Sequence, residues 1–124
     1  MTTYNIATGK GTTTILNFKG AANIDSLAAA SLVDTLKFTG SGLTAENMLI
    51  TMDGNDTVIT FDGVANTTVR LVNFSYLLLG NDLDNAQVST PFGNFIFYGQ
   101  TSVQTEVDVY PAIVTTEADF VHSN

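Results

Sequence analysis

Residues 43–74 constrain the fold more than any other part of the chain, because short β-branched runs alternate there with clusters of Asp, Gly and Asn. The clusters at residues 53–56 and 62–63 each contain a glycine, which can adopt the positive φ angle that tight hairpin turns need. The runs beside them, residues 57–61 and 67–74, alternate apolar and polar side chains with a period of two. This stretch therefore predicts a compact antiparallel meander with one buried face.

Strand signals also dominate the rest of the 124-residue chain. Asn23 can cap one helix over residues 24–33, and a single helical turn is predicted at residues 44–48. A chain of this length buries roughly two thirds of its unfolded surface in one core, so residues 1–124 are expected to form one domain. We expect a mainly β fold of about eight to ten short strands, β-roll-end or sandwich-like, with one short helix. Further strands are predicted at residues 12–18, 35–39, 49–52, 95–98 and 102–110.

Bulky apolar residues on the predicted strands and helix define a candidate core. Three segments, residues 14–18, 58–61 and 69–74, each end a β run with Phe. We interpret this similarity as core packing, since Phe is a favoured strand residue. The predicted core consists of Ile15, Leu16, Phe18, Leu27, Leu36, Phe38, Leu49, Val58, Ile59, Phe61, Val69, Leu71, Phe74, Phe95, Phe97 and Val107.

The charge balance argues against several classes of partner. Twelve Asp and Glu residues against four Lys and Arg residues give a net charge of −8, so there is no basic patch for nucleic acid or an anionic membrane surface. No segment approaches the ~20 consecutive apolar residues of a membrane helix. We therefore expect no nucleic-acid partner and no membrane insertion. An acidic chain of this kind favours hard cations, and calcium in particular.

The residue types in this chain give little support for a catalytic function. The chain has no cysteine, which removes thiol catalysis, thiolate metal sites and disulfides. His122 is the single histidine and lies near the end of the sequence, so a nucleophilic triad or a multi-histidine metal site has no basis. Residues 9–11 lack both the spacing of a phosphate-binding loop and a following helix. We expect a non-catalytic protein.

A family resemblance is carried by the order of five segments, which are residues 17–20, 33–38, 42–49, 54–61 and 69–74. Together they resemble the segments that flank or terminate the calcium-binding repeats of bacterial RTX, or hemolysin-type, secreted proteins. The resemblance implies the end of a parallel β-roll in which an Asp-Phe pair and a downstream Asp contribute calcium ligands. Asp34 matches this pattern, whereas Asn17 stands where the family usually has Asp. The tandem nonapeptide of the family is absent, and residues 54–58 copy only half of one repeat.

Oxygen donors cluster at two further places that could bind calcium, which takes carboxylate, amide and carbonyl oxygens. The first cluster is a predicted hairpin turn, and the turn alone is the simpler explanation for its composition. The second follows Gly80, where an ordinary loop would explain the same residues equally well. Together with Asp34, the candidate calcium ligands are Asp53, Asn55, Asp56, Asn81, Asp82 and Asp84.

Two functions from different classes agree with these features, and both place the protein outside the cell, secreted or at the cell surface. The first is a structural, self-assembling protein whose copies associate by β-strand addition, with calcium dependence if the candidate ligands are used. Residues 102–110 alternate cleanly and could be donated to a neighbouring copy, although they could equally complete their own sheet. The second is a calcium-binding module of an RTX-type protein exported without an N-terminal leader, since residues 1–18 lack the pattern of a signal peptide.

Overall fold

A computed structural model describes residues 2–21, 27–82, 92–103, 112–115 and 120–121, and the predicted mainly β single domain with one short helix is confirmed. The helix α1 spans Leu27–Ala30, and short 3-10 turns span Ala45–Asn47 and Tyr76–Leu78. No helix in these ranges is long and apolar enough to cross a membrane. The strands are β1 (Thr3–Ile6), β2 (Gly11–Ile15), β3 (Thr35–Phe38), β4 (Met48–Asp53), β5 (Asp56–Phe61), β6 (Val64–Leu71), β7 (Asn81–Asp82), β8 (Phe92–Gly93), β9 (Phe95–Ile96), β10 (Ala112–Thr115) and β11 (Phe120–Val121).

Nine of the strands wind into two facing sheets, an arrangement that we call the roll, and β7 and β8 form a separate antiparallel pair. Three parallel strands in the order β1-β3-β9 form the smaller sheet, and six strands in the order β11-β10-β4-β5-β6-β2 form the larger one. The chain passes from the smaller to the larger sheet at β1–β2, β3–β4 and β9–β10. Because β2 is parallel to β6, β10 is parallel to β4, and β5 is antiparallel to both β4 and β6, the larger sheet is parallel apart from β5 and β11.

The predicted antiparallel meander is present as β4, β5 and β6. Asp53 pairs with Asp56 across a two-residue turn, and Gly54 in that turn has a φ of 62°. The second hairpin turns at Asp62 and Gly63, where Gly63 has a φ of 76°. Glycine adopts such angles without the steric cost that a side chain adds, so the local sequence places both turns correctly.

Two predicted strands end earlier than expected, and each ends two residues before an asparagine with a positive φ angle. The strand predicted at residues 12–18 ends at Ile15, before Asn17 with a φ of 61°. The strand predicted to reach residue 74 ends at Leu71, before Asn73 with a φ of 52°. A residue in the left-handed region turns the backbone out of the extended ladder, and asparagine tolerates that region better than most residues.

The turns that follow β2 and β6, which we call corners, lie next to each other. Ile15 and Leu71 are register partners in the parallel pair β2–β6, and the N–H of Val72 donates to the carbonyl of Ile15 at 3.0 Å. The rings of Phe18 and Phe74 then meet edge to face, with 5.3 Å between their centroids. Two of the three Phe-terminated segments are therefore adjacent turns of the roll.

Aromatic contacts join the two sheets into one core. Phe38 of the smaller sheet meets Phe61 of the larger sheet at a centroid distance of 4.9 Å, and it also stacks on Phe95 and Phe97. Among the predicted core residues with described side chains, all but three are buried. The core also contains residues that the sequence did not single out, namely Ile6, Leu43, Ala45, Met48 and Ile50.

The three exceptions are explained by the corner after β2 and by which face of β4 and β5 points into the core. The prediction that Leu16 is a core residue is wrong: it is 64% exposed, because the strand ends before it and the corner turns it outward. Leu49 and Val58 are only half-buried, since Met48 and Ile50 occupy the inner face of β4, opposite inner-face residues of β5. A period-two strand fixes which residues share a face, but it does not say which face is inside.

Several predictions fall partly outside the described residues. The helix predicted at residues 24–33 is described only from residue 27, and it ends at residue 30. Of the strand predicted at residues 102–110, residues 102 and 103 are not in a strand, and residues 104–110 lie outside the described part. The side chains of Leu27 and Val107 also lie outside it.

Asn94, which lies between β8 and β9, connects three segments of the roll and is completely buried at 0% exposure. Its amide nitrogen donates to the carbonyl oxygens of Lys19 (3.0 Å) and Asp34 (2.7 Å). Its Oδ1 accepts from the backbone N–H groups of Ala21 (2.8 Å) and Gly80 (3.1 Å). One side chain therefore uses all of its donors and both of its acceptor sites on backbone groups.

We expect Asn94→Ala to destabilise the protein by about 3 kcal/mol or more, because the buried N–H of Ala21 and the buried carbonyl of Asp34 would lose this partner at a cost of roughly 1–3 kcal/mol each, and two part-buried hydrogen bonds to Lys19 and Gly80 would be lost as well. Urea denaturation followed by circular dichroism measures the change. A loss under about 1 kcal/mol would contradict the role given to this side chain.

Asn94→Asp is the matched control, because it keeps the shape but places a carboxylate oxygen against two carbonyl oxygens. Burial and these carbonyls raise the pKa of the new carboxyl in the folded state above its unfolded value of about 3.9. Its destabilisation relative to wild type should therefore be smallest below about pH 4 and increase as the pH rises above that value.

Candidate functional site

The structure places Asp34 at the start of β3 as a backbone connector. The side chain is buried, its Oδ1 accepts from the N–H of Thr2 at 2.9 Å, and its Oδ2 accepts from the N–H of Lys19 at 3.1 Å. Both carboxylate oxygens thus accept from backbone N–H groups that lie just before β1 and after β2. A calcium ion at Asp34 would have to share these oxygens with the backbone.

Asp53 and Asp56 lie at the β4–β5 turn with Arg70 of β6 between them. The guanidinium of Arg70 donates to Oδ2 of Asp53 and to Oδ2 of Asp56, each at 2.7 Å. The other oxygen of Asp56 accepts from the N–H of Asn73 at 2.9 Å, and the carbonyl of Asn55 accepts from the N–H of Phe74 at 3.1 Å. The turn predicted as a calcium cluster is therefore joined to a guanidinium and to the corner after β6.

These contacts favour the charged forms of both partners. The N–H of Asn73 and then the guanidinium of Arg70 hold the pKa of Asp56 below its usual value. The carboxylates of Asp53 and then Asp56 raise the pKa of Arg70. The group is partly open to water, with side-chain exposures of 32% for Arg70 and 57% for Asp53, so solvent screens part of the attraction.

The remaining candidate ligands lie at the second cluster. The side chain of Asn81 pairs with the backbone of Phe95, donating to its carbonyl and accepting from its N–H, both at 3.1 Å. Asp82 is the second residue of β7, and Asp84 lies outside the described residues. Within the described ranges, no group of three or more His, Cys, Asp or Glu side chains could hold a metal ion. Calcium binding by these residues stays a prediction.

A surface groove of about 330 Å³ follows the two stacked corners. Exposed Leu16 lies on one side of it, and half-buried Val72 lies on the other. The groove therefore adjoins the end of β2, at the outer edge of the larger sheet. It is lined by Leu16, Asn17, Phe18, Lys19, Val72 and Asn73.

The strands β1 and β2 form what we call the open end of the roll. β1 is an edge strand of the smaller sheet and β2 is an edge strand of the larger sheet, and a short connection at residues 7–10 joins them. Within the described part of the chain, no strand pairs with the outer side of either one. An edge strand presents unpaired N–H and C=O groups that a further strand can pair with.

The sequence contains signals for this end that hydrophobic periodicity and turn residues do not reveal. Residues 12–14 are three consecutive threonines, a β-branched run with no charge. Residues 1–24 contain no Asp or Glu, although the chain has twelve. Arg70 is the single arginine and could have been matched to the acidic turn, but its distance from that turn depends on the β5–β6 register.

No family model, curated protein or solved structure matches this chain.

We expect Asp56→Asn to lower the melting temperature at pH 7, because it removes one of the two carboxylates that hold Arg70. The pKa of Asp56 is lowered in the folded state, so its contribution to stability is present above its unfolded value of about 3.9 and disappears as the pH falls through the folded value. Melting curves from pH 7 to pH 2 should show the difference from wild type vanish at the acid end.

Asp62→Asn is the control for this prediction, since Asp62 is an exposed turn residue with no ion pair in the described part of the chain. Its melting temperature should follow wild type at every pH. A difference between Asp56→Asn and wild type that stays constant across the pH range would contradict the role of the Asp56 charge.

Proposed function

We propose that this protein is a non-catalytic structural protein, secreted or at the cell surface, whose copies associate with one another by β-strand addition. The observation that carries the proposal is the open end of the roll, where β1 and β2 are consecutive in the chain and each is an edge strand of its own sheet. Strand addition pairs an extended segment of one molecule with such an edge through main-chain hydrogen bonds.

The directions of the backbone groups support this proposal. The carbonyl of Ile15 accepts from β6, so alternate residues of β2 face β6 while Thr12 and Thr14 direct their N–H and C=O groups to the outer side. In β1 the carbonyls of Thr2 and Ile6 accept from the β3 segment, so Thr3 and Asn5 direct theirs outward. Each edge therefore offers a row of donors and acceptors to a partner strand.

Neither edge carries the features that usually prevent such pairing. Natural edge strands are commonly guarded by a charged side chain, a proline, or a bulge. β1 has the sequence Thr-Tyr-Asn-Ile and β2 has Gly-Thr-Thr-Thr-Ile, so both lack charge and proline. The pairings β1–β3 and β2–β6 run in unbroken register. Residues 102–110 stay a candidate for the strand that is donated to this edge.

One observation favours a second candidate, the calcium-binding module of an RTX-type protein. The strands of the smaller sheet and most strands of the larger sheet are parallel, as in the β-roll that the resemblance implies. Against it stand the N–H donors at Asp34 and the guanidinium at Asp53 and Asp56, which already occupy the candidate oxygens.

Thr14→Pro should abolish or strongly weaken self-association while leaving the fold intact. Proline removes the outward N–H of Thr14 and is tolerated on edge strands whose N–H does not take part in the ladder. We expect wild type to sediment as species larger than the 13.2 kDa monomer and the variant to dissociate at least about tenfold more readily. Sedimentation velocity over a concentration series measures both.

Thr13→Pro is the matched control, because the N–H of Thr13 faces β6 and its loss breaks the internal ladder. This variant should have a clearly lower melting temperature, whereas Thr14→Pro should melt close to wild type. The proposal is wrong if wild type is a monomer at all concentrations, or if Thr14→Pro assembles as well as wild type.

Calcium binding, if it occurs, should raise the melting temperature, because an ion that binds only the folded state stabilises it. Arg70→Gln frees the carboxylates of Asp53 and Asp56, so the shift at millimolar calcium should be larger in this variant than in wild type. Magnesium at the same concentration controls for general screening. No shift in either protein would remove the calcium hypothesis for this turn.

A further inference from the structure

The strand β2 is the longer of the two edge strands at the open end, with five residues against four in β1. The carbonyl of Ile15 accepts from the N–H of Val72, so every second residue of β2 faces β6, and Thr13 is the middle one of these. Thr12 and Thr14, on either side of Thr13, direct their N–H and C=O groups to the outer side. The outward-facing groups of this edge are therefore arranged symmetrically about Thr13.

We infer that two copies of this protein form a two-fold dimer in which β2 of one copy pairs antiparallel with β2 of the other, centred on Thr13. This inference rests on the self-association proposed above and specifies which strand is added to the edge. In this register Thr12 lies opposite Thr14 of the partner subunit, and the two residues exchange both of their main-chain hydrogen bonds. The two Thr13 residues face each other as a pair without such bonds. The contact uses every outward-facing N–H and C=O group of Thr12 and Thr14.

The distribution of charge favours this edge for a contact between copies that each carry a net charge of −8. The strand β2 has no charged residue, and residues 2–21 contain no Asp or Glu. The register partner of Thr14 in the neighbouring strand is Arg70, whose guanidinium holds the carboxylates of Asp53 and Asp56. These acids are therefore partly neutralised, and they oppose the approach of a second copy less than unpaired carboxylates would.

The antiparallel direction also separates the lysines that lie beside β2. Lys10 immediately precedes the strand and Leu16 immediately follows it, and both are exposed. Pairing about Thr13 places Lys10 beside Leu16 of the partner subunit, so the two ammonium groups lie about 20 Å apart, well beyond a screening length of about 8 Å. The methylene groups of Lys10 then cover Leu16, which is 64% exposed in the single chain. A parallel pairing in register would instead bring the two Lys10 side chains together.

A contact between two identical strands related by a two-fold axis closes on itself. The two larger sheets join edge to edge, and β2 keeps no outward-facing main-chain group for a third copy. This contact therefore produces a dimer, whereas a contact between two different surfaces would produce open chains or rings.

Single-cysteine variants test the register, because the chain has no cysteine of its own. Thr13→Cys places two thiols at a pair whose Cα atoms are about 4.5 Å apart, within the range of a disulfide. Thr12→Cys or Thr14→Cys alone places them at diagonal positions roughly 7–8 Å apart, outside that range. Under mild oxidation we expect Thr13→Cys to form a disulfide-linked dimer at least about tenfold faster than either of the other two variants. Non-reducing gel electrophoresis over a time course measures the rates.

A mixture of Thr12→Cys and Thr14→Cys tests the same register at two exposed positions, without a change at half-buried Thr13. The two thiols belong to residues directly opposite each other, about 5.5 Å apart, so the mixed disulfide should form although neither variant crosslinks with itself. Uniform nitrogen-15 labelling of one variant gives the mixed dimer a mass of its own in mass spectrometry. Equal crosslinking at all three positions, or none in either experiment, overturns the two-fold contact.

The results separate this contact from the self-association on which it rests. If wild type sediments as species larger than the 13.2 kDa monomer but the cysteines do not crosslink in the expected pattern, the contact between two β2 strands is wrong while self-association stands. If wild type is a monomer at all concentrations, both proposals are wrong. A wild-type dimer together with the expected crosslinking pattern supports both.

Discussion

The buried amide of Asn94 is the interaction on which the rest of the structure depends. It joins the corner after β2, the start of β3 and the residue before β7, and none of these segments lies next to another in the chain. A buried backbone group without a partner is costly, so the two buried and two part-buried hydrogen bonds around this side chain fix the relative positions of their segments closely. The smaller sheet is thereby held against the corner at which β2, the edge strand of the larger sheet, ends.

Other short polar side chains also hold backbone segments of the roll together or form its corners. Asp34 accepts backbone N–H groups from the first turn, and Asp56 accepts one from the corner after β6. Asn17 and Asn73 adopt the left-handed conformations that form the corners themselves. The Asp and Asn residues that suggested calcium are thus also the residues that satisfy the backbone where strands end, and this structural role explains why they are frequent in a chain that has few charges.

Polar corners and neutral strands together make the open end suited to association. Residues 1–24 contain no acidic residue, and β1 and β2 carry threonine, tyrosine and asparagine where other edge strands carry lysine. Threonine keeps such an edge polar and still favours an extended backbone. An edge of this kind can stay hydrated in the monomer and remain available to a partner strand.

The sequence by itself determined the β4–β5–β6 meander and most of the core, because glycine turns and period-two alternation are local properties. It also located the oxygen-donor turn at Asp53 and Asp56. The tertiary structure alone decided that Arg70 joins these two acids, that Asn94 is the central connector, and that β1 and β2 lie at one end. Parallel strands are paired by backbone groups that are the same in every residue, across separations such as the 56 residues between Ile15 and Leu71. No side-chain pattern specifies such a pairing, so it had to come from how the whole chain packs.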